Sequence, residues 1–215
     1  MILIPGPDAQ KPEFWDDATT QLMRRDRILK KLIPRHDSEW LAPASMPFVT
    51  LARAIVGQQI SVRSADAMWQ RFTDACGCIP TPAVVLALAE ADLGSVGLSK
   101  RKAEYVIGLA THFAEKKVDP AAWEDMDDEA VIAELCTIRG VGRWTAEMFL
   151  IFNLHRPDVL PLDDAGLIKA ISLHYFSGEP VSRFEAREVA QAWAPWRTVA
   201  TWHLWRSLDP AAVQY

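Results

Sequence analysis

The sequence predicts an all-α fold, and three observations carry that prediction. Apolar residues recur at three- and four-residue spacing along most of the 215 residues, with no strand-like alternation of useful length. Ser, Thr and Asp stand where helices should open, in places with Pro or Glu behind them as helix starts require. Gly and Pro punctuate the intervals.

Phe14 to Leu32 reads as one amphipathic helix. Leu22, Ile28, Leu29 and Leu32 lie near one face, and Arg24, Arg25, Arg27, Lys30, Lys31 and Arg35 make the other face basic against Asp26. Pro34 should end it. Pro47 to Ile55 is a second helical stretch, interrupted by Gly57. Ser61 can cap a helix carrying Val62, Ala65, Trp69 and Phe72. Thr81-Pro82 should open a helix to about Leu93, followed by a turn over Gly94-Ser95-Val96-Gly97. Ser99 can cap the next helix, with Tyr105, Val106, Leu109 and Phe113 on it. Asp127 or Asp128 should start a helix through Val131 and Leu135 to Ile138. Gly140-Val141-Gly142 is a tight turn, and Arg143 to Phe152 is helical again. Pro161 breaks the chain before a helix from Asp163-Asp164 to about His174. Ser182-Arg-Phe-Glu185 is a capping box before a helix ending near Trp193, and Pro195 separates it from a last helix, Arg197 to Leu208.

Composition bounds the function. The length suits one or two compact units with ample core. The longest apolar run, Ala83 to Ala89, falls well short of the roughly 20 residues that cross a bilayer. The opening Met-Ile-Leu-Ile-Pro-Gly-Pro-Asp carries no basic region of the kind a signal peptide needs. Three cysteines, Cys76, Cys78 and Cys136, make no disulfide framework and fit a reducing cytoplasm. Cys76-Gly-Cys78 has no second pair, so no zinc site is expected, and no H-x-E or H-E-x-x-H pattern is present. With 23 Lys and Arg against 28 Asp and Glu, the net charge of −5 argues against non-specific coating of nucleic acid. Charge is uneven, however. Residues 124–134 are acidic with no base, whereas Lys100, Arg101 and Lys102 form a basic run.

The most informative stretch is Ile138-Arg-Gly140-Val141-Gly142-Arg143-Trp144-Thr145-Ala146. A helix ends, two glycines allow φ > 0 or close backbone approach, and a new helix starts at once. Free N–H groups at that helix N-terminus can hold an anion, and a nucleic-acid phosphate suits them. They do so without a positive charge on the whole chain.

This segment resembles the hairpin of the helix-hairpin-helix DNA glycosylase superfamily. Arg156-Pro-Asp-Val-Leu-Pro161-Leu-Asp163-Asp164-Ala-Gly-Leu-Ile-Lys169 resembles that superfamily's second signature, a loop ending in an essential Asp. Ala54-Ile-Val-Gly-Gln58-Gln59-Ile-Ser61-Val and Trp193-Ala-Pro-Trp196-Arg197 through His203-Leu-Trp205 resemble one branch, the bacterial 3-methyladenine DNA glycosylase II type. The likeness covers roughly residues 15–208 in order and spacing. It implies two helical domains with a cleft between them that holds the essential Asp. Residues 46–155 would carry the hairpin, and residues 1–45 with 156–215 would form a terminal domain.

Site residues follow from the same likeness. The essential Asp of the pattern has an aliphatic residue three positions on. Asp164 has Leu167 there and Asp163 has Gly166, so Asp164 is the expected catalytic carboxylate, with Asp163 as N-cap or orienting residue. A fixed carboxylate can stabilise the oxocarbenium-like sugar cation of N-glycosidic cleavage and take a proton from water. Relatives that cleave the strand carry a Lys where Trp144 stands, so the resemblance implies a monofunctional enzyme. No Cys follows Cys136, so the iron–sulfur loop of the endonuclease III branch is absent, and no cofactor is expected. Trp144 and Trp205 match aromatic pocket positions, and Met148 replaces the second pocket aromatic. Trp15, Trp40, Trp69, Trp123 and Trp193 are assigned to packing. An indole face attracts the positive ring of an alkylated purine. DNA contacts are implied for Gln58, Gln59, Ser61, Gly140, Gly142, Arg143 and Thr145, with Lys100 as a further phosphate contact. Gln59 matches the side chain that fills the gap left by a flipped base, with Gln58 as the alternative.

The expected function is excision of alkylated purines (3-methyladenine, 7-methylguanine type) from double-stranded DNA by a monomer in the bacterial cytoplasm, at the nucleoid. Two other readings stay open: a glycosylase for deaminated or oxidised bases, and a non-catalytic hairpin module that only binds DNA. The acidic stretch 124–134 is expected to face away from the duplex.

Overall fold

The structure, a computed structural model, describes residues 10–41, 46–60, 62–77, 79–88 and 90–208. Every regular element among them is helical. Ser61 and Cys78 lie outside the described residues, as do the opening eight residues. The chain divides into two compact units, Ala44–Phe149 and Met1–Pro43 with Leu150–Gln214.

The first unit contains α3 (Pro47–Gly57), α4 (Val62–Cys76), α5 (Pro82–Ala87), α6 (Glu90–Ser95), α7 (Lys100–Ala114), α8 (Asp128–Leu135) and most of α9 (Arg143–Phe152). The expected caps form. Thr81, Ser99 and Asp127 accept from the N–H three residues on, at 3.3, 3.3 and 2.9 Å. Helix α7 is the spine, with α3 and α5 packed along it. Phe48, Phe113, Trp123 and Phe149 form a chain of edge-on ring contacts through the core, at centroid separations of 5.1–6.2 Å.

One helical expectation fails in this unit. Thr81 to Leu93 is not a single helix, because Leu88 turns extended after α5 and α6 begins at Glu90. A continuous helix would set Val85 and Leu93, eight positions apart, at about 80° to each other. The break re-aims the chain, and both side chains are fully buried.

The second unit contains α1 (Trp15–Arg25), α2 (Leu29–Leu32), α10 (Ala165–Tyr175), α11 (Arg183–Ala190) and α12 (Arg197–Leu208). Ser182 and Glu185 form the expected capping box. Helix α12 is the central element, since Thr198 through Arg206 are all buried. A helix buried on all sides shows little amphipathic contrast, as this one does. Trp15 meets Trp202 edge-on at 5.3 Å. Trp193 is fully buried, and Trp40 and Trp69 are half-buried.

The single helix expected from Phe14 to Leu32 is broken at Asp26, which is extended and turns its carboxylate into the unit. Oδ1 accepts from the N–H groups of Ile28 and Leu29 at 2.7 and 3.0 Å. Oδ2 accepts from the Tyr175 hydroxyl at 2.7 Å and the Trp193 indole at 3.1 Å. A short Asp side chain competes with the helix for its own backbone, and distant donors here decide the contest. Pro34 sits inside a 3₁₀ turn, Ile33–His36, rather than ending a helix.

His203, assigned to structure from the sequence, is 1% exposed against Trp15 and Trp202, and neither ring nitrogen has a hydrogen-bond partner. Burial, with the His36 and Arg206 charges behind it, holds its pKa down to about 3. The folded state therefore refuses a proton that the unfolded chain accepts below about pH 6.5. Stability is complete above that pH and is lost as pH falls from about 6.5 towards 3. At pH 5 the loss from this group should be about 2 kcal/mol. Thermal unfolding of wild type and His203→Leu between pH 7.5 and 5 checks it, and the variant should show the shallower fall in melting temperature.

Candidate active site

The turn between α8 and α9 is built by burial at both ends and glycine in the middle. Ile138 and Val141 are buried, and the Val141 N–H donates to the Ile138 carbonyl at 2.9 Å. Gly140 has φ +96°, and a Cβ there would lie 2.4 Å from the Tyr105 ring. Backbone conformation and packing both demand glycine. Gly142 is exposed, and its carbonyl accepts the first helical bond of α9, from the Ala146 N–H at 3.0 Å. The N–H groups of the first turn thus have no carbonyl behind them in the helix and face outward, the arrangement that holds an anion.

A second segment is tied to this turn. The Gln58 side-chain amide donates to the Gly140 carbonyl at 2.8 Å. The Lys102 ammonium donates to the Val56 carbonyl at 2.8 Å, capping the end of α3, and burial lowers its pKa. These bonds fix the backbone on both sides of Gly57. Gln59 follows with φ +58° and an exposed side chain. The structure thus separates the two glutamines: Gln58 holds the turn, and Gln59 projects beside it. In the basic run, Lys102 points inward, whereas Lys100 and Arg101 are exposed at the start of α7.

The acidic stretch reaches the hairpin through one side chain: Glu129 of α8 pairs with Arg143, at 2.9 Å between Oε2 and one guanidinium nitrogen. Arg143 also donates to Glu147 at 3.0 Å, one turn on in α9. The Arg143 hydrogen bond holds the Glu129 carboxyl below its usual range, and the same bond raises Arg143. Thr145, among the expected DNA contacts, is 4% exposed in this structure.

The expected catalytic carboxylate stands in the other unit. Asp164 is the N-cap of α10, and its Oδ1 accepts from the Leu167 N–H at 2.7 Å. The same oxygen accepts from the Trp205 indole N–H at 2.8 Å. Asp164 is 3% exposed. Its neighbour does neither of the jobs expected of it, since Asp163 is half open to solvent and pairs with Arg183 at 2.7 Å. The cap falls to Asp164 because α10 begins at Ala165.

Trp205 is 2% exposed, and the Phe152 ring stacks parallel to it at 5.9 Å. Its N–H edge orients Asp164, a task that a reading as pocket wall did not include. Met148 is 3% exposed, and Trp144, one turn earlier on α9, is half-buried.

Several supporting residues had no signal in the sequence. The loop that delivers Asp164 is pinned to the start of α12. Asp158 accepts two 2.7 Å bonds from the Arg197 guanidinium. The Thr198 hydroxyl donates to the Arg156 carbonyl at 2.6 Å and accepts from the Val159 N–H at 3.0 Å. These partners lie about forty residues apart in sequence. Gly166 is a further case: a Cβ there would lie 3.0 Å from Asp164 Oδ1 and 3.3 Å from the Trp205 ring. Among the described residues no group of three His, Cys, Asp or Glu could hold a metal ion, and no helix is long and apolar enough to cross a membrane.

Two outcomes follow. Trp205→Phe keeps a ring against Phe152 but removes the donor to the buried Asp164, so the terminal unit should lose about 1–3 kcal/mol of stability, as chemical denaturation would measure. Gly140→Ala should destabilise the hairpin unit by about 2 kcal/mol or more, read by chemical denaturation, because backbone conformation and the Tyr105 side chain both exclude a Cβ.

The sequence pattern of the HhH-GPD superfamily base excision DNA repair proteins matches residues 52–195. A putative DNA-3-methyladenine glycosylase of Bacillus subtilis is 32% identical over 166 residues, 74% of this chain. The chain spans 58% of that relative's length. The crystal structure of a DNA-3-methyladenine glycosidase from Bacillus halodurans superposes with a TM-score of 0.79 at 31% identity, covering 92% of each chain. The Schizosaccharomyces pombe 3-methyladenine DNA glycosylase, solved in complex with abasic DNA, gives 0.80 at 27% identity, covering 93% of this chain and all of that one. With a pinned hairpin and a buried, indole-held carboxylate in the matched order, the chain belongs to the HhH-GPD superfamily of base excision DNA repair proteins.

Proposed function

We propose that this chain is a monofunctional DNA glycosylase that hydrolyses the N-glycosidic bond of alkylated purines, of 3-methyladenine and 7-methylguanine type, in double-stranded DNA. The observation that carries the proposal is the Asp164 carboxylate, buried at a helix N-terminus with two N–H donors on one oxygen. The names of the similar proteins support the lesion class. The enzyme works as a monomer beside the nucleoid in the bacterial cytoplasm, a placement that its bacterial relatives support.

The N–H groups after Gly142 take a backbone phosphate. Arg143 exchanges Glu129 for that phosphate, a small loss because exposed ion pairs contribute little. The lesion leaves the stack, and Gln59 fills the gap and can hydrogen-bond the orphaned base. The indole of Trp144 attracts the cationic purine ring. The C1′–N bond then breaks with its electron pair on the purine, cancelling that ring's charge, so no general acid is required. Asp164 stabilises the positive sugar. Water bonds to C1′ and yields a proton to the carboxylate, leaving an abasic site. With Trp144 where strand-cleaving relatives carry Lys, no Schiff base forms and the strand stays intact.

The test is base release from methylated duplex DNA by wild type and Asp164→Asn. Wild type should free 3-methyladenine or 7-methylguanine and leave a strand that breaks only after alkali. Asn remains a good N-cap, so the variant should fold and bind DNA while its rate falls by about 10³-fold, roughly 4 kcal/mol. Release of uracil or an oxidised purine instead would reassign the lesion. Binding without any release would leave a DNA-binding module.

A further inference from the structure

The basic face of α1 and α2 has no part in the site described above. Arg24, Arg25, Arg27 and Lys30 line an open hollow of about 540 Å³ at the end of α1, and all four are exposed. The single acid in its lining, Asp26, does not neutralise them. Its carboxylate is turned inward and receives four donors: two backbone N–H groups, the Tyr175 hydroxyl and the Trp193 indole.

Elsewhere in the described chain six arginines find carboxylates, while Arg71 donates to the Val96 carbonyl at 2.9 Å. Arg53 meets Asp66, Arg139 meets Glu104, Arg143 meets Glu129, Arg183 meets Asp163, Arg197 meets Asp158 and Arg206 meets Glu39. In the hollow the pattern reverses. Arg25 donates to two neutral acceptors, the Ala194 carbonyl at 2.6 Å and the Gln21 side-chain carbonyl at 3.1 Å. Those bonds fix its guanidinium while leaving its charge uncompensated. Gln21 is itself held by the Trp196 indole N–H at 3.1 Å. Arg24, Arg27 and Lys30 reach no carboxylate among the described residues. Carbonyls at the α1 C-terminus favour Arg24 and Arg25 there, but Arg27 and Lys30 lie beyond that end. In a chain of net charge −5, an unpaired cluster of four cations is a local inversion.

We infer that this hollow is a second phosphate-binding site, one that holds the sugar–phosphate backbone of duplex DNA outside the hairpin. The inference rests on the DNA reading above. Arginine forks match phosphate oxygens, and exposed cations with no competing carboxylate gain most from a polyanion. A DNA contact of this kind adds affinity and salt dependence without adding sequence preference.

The test is the salt dependence of affinity for an undamaged 30-base-pair duplex, for wild type and the triple variant Arg24→Gln, Arg27→Gln, Lys30→Gln. Arg25 is kept because it ties α1 to Ala194. The slope of log affinity against log salt should fall by about 2–3, and affinity at low salt by about tenfold or more. The rate of methylpurine release at saturating DNA should not change. Matching melting temperatures would show that the variant folds. Equal slopes in two proteins that both bind DNA would overturn the inference and leave the glycosylase reading standing. Failure of wild type to bind DNA would overturn both. Equal DNA binding with selective loss by the variant of binding to phosphatidylserine vesicles would overturn it in favour of a membrane surface.

Discussion

Much of the terminal unit is arranged around one constraint: a buried carboxylate that needs hydrogen-bond donors in place of water. Asp164 is taken out of water, which is costly for an anion unless donors replace the lost solvent. The first N–H groups of α10 supply one replacement, and the indole of Trp205 supplies another. The indole requires α12 to run buried past the start of α10, with Phe152 stacked on its far ring. The loop that brings Asp164 there is held by Asp158, Arg197 and Thr198 at the beginning of that same helix. One helix therefore fixes both the donor and the strap that presents the acceptor. Such two-point fixing leaves the Asp164 oxygen in one orientation, the preorganisation that the proposed chemistry requires.

Charge is managed by pairing rather than by excess. An acidic protein that grips a polyanion must avoid repelling it, and here the acids near the hairpin are already engaged. Glu129 lies against Arg143, one residue past the exposed glycine, so at rest the hairpin carries no bare guanidinium. Only a ligand that offers Arg143 more than an exposed carboxylate does will displace Glu129. The hairpin's own attraction comes from backbone N–H groups, which carry no net charge and cannot be neutralised by neighbouring acids. The composition spoke only against non-specific coating of nucleic acid, because it counts side chains and is silent about the backbone.

What was legible in the sequence is what local chemistry decides. Thr81, Ser99, Asp127 and Ser182 cap helices because each cap needs only the three residues after it. Gly140 was legible for the same reason. Asp26 misled because the residues that claim its carboxylate, Tyr175 and Trp193, stand about 150 residues and more away. Gln58 and Gln59 were indistinguishable in sequence, since one bond to the Gly140 carbonyl, 82 residues on, tells them apart. Asp163 was the expected cap and Asp164 is the cap, because the cap depends on where α10 begins. The Asp158–Arg197 fork left no mark at all.

Gly166 shows how the two demands on this region were reconciled. A glycine inside a helix costs about 1 kcal/mol relative to alanine, and the first turn of α10 holds one two residues after the N-cap. Any larger residue would press a Cβ against Asp164 Oδ1 and the Trp205 ring, at 3.0 and 3.3 Å. Asp164 and the indole are themselves 2.8 Å apart. The helix thus gives up intrinsic stability at the position where a Cβ would crowd both the carboxylate and its donor. Stability is recovered around it, in the fully buried α12 and the loop pinned to its start, where packing and hydrogen bonds do not compete with the chemistry.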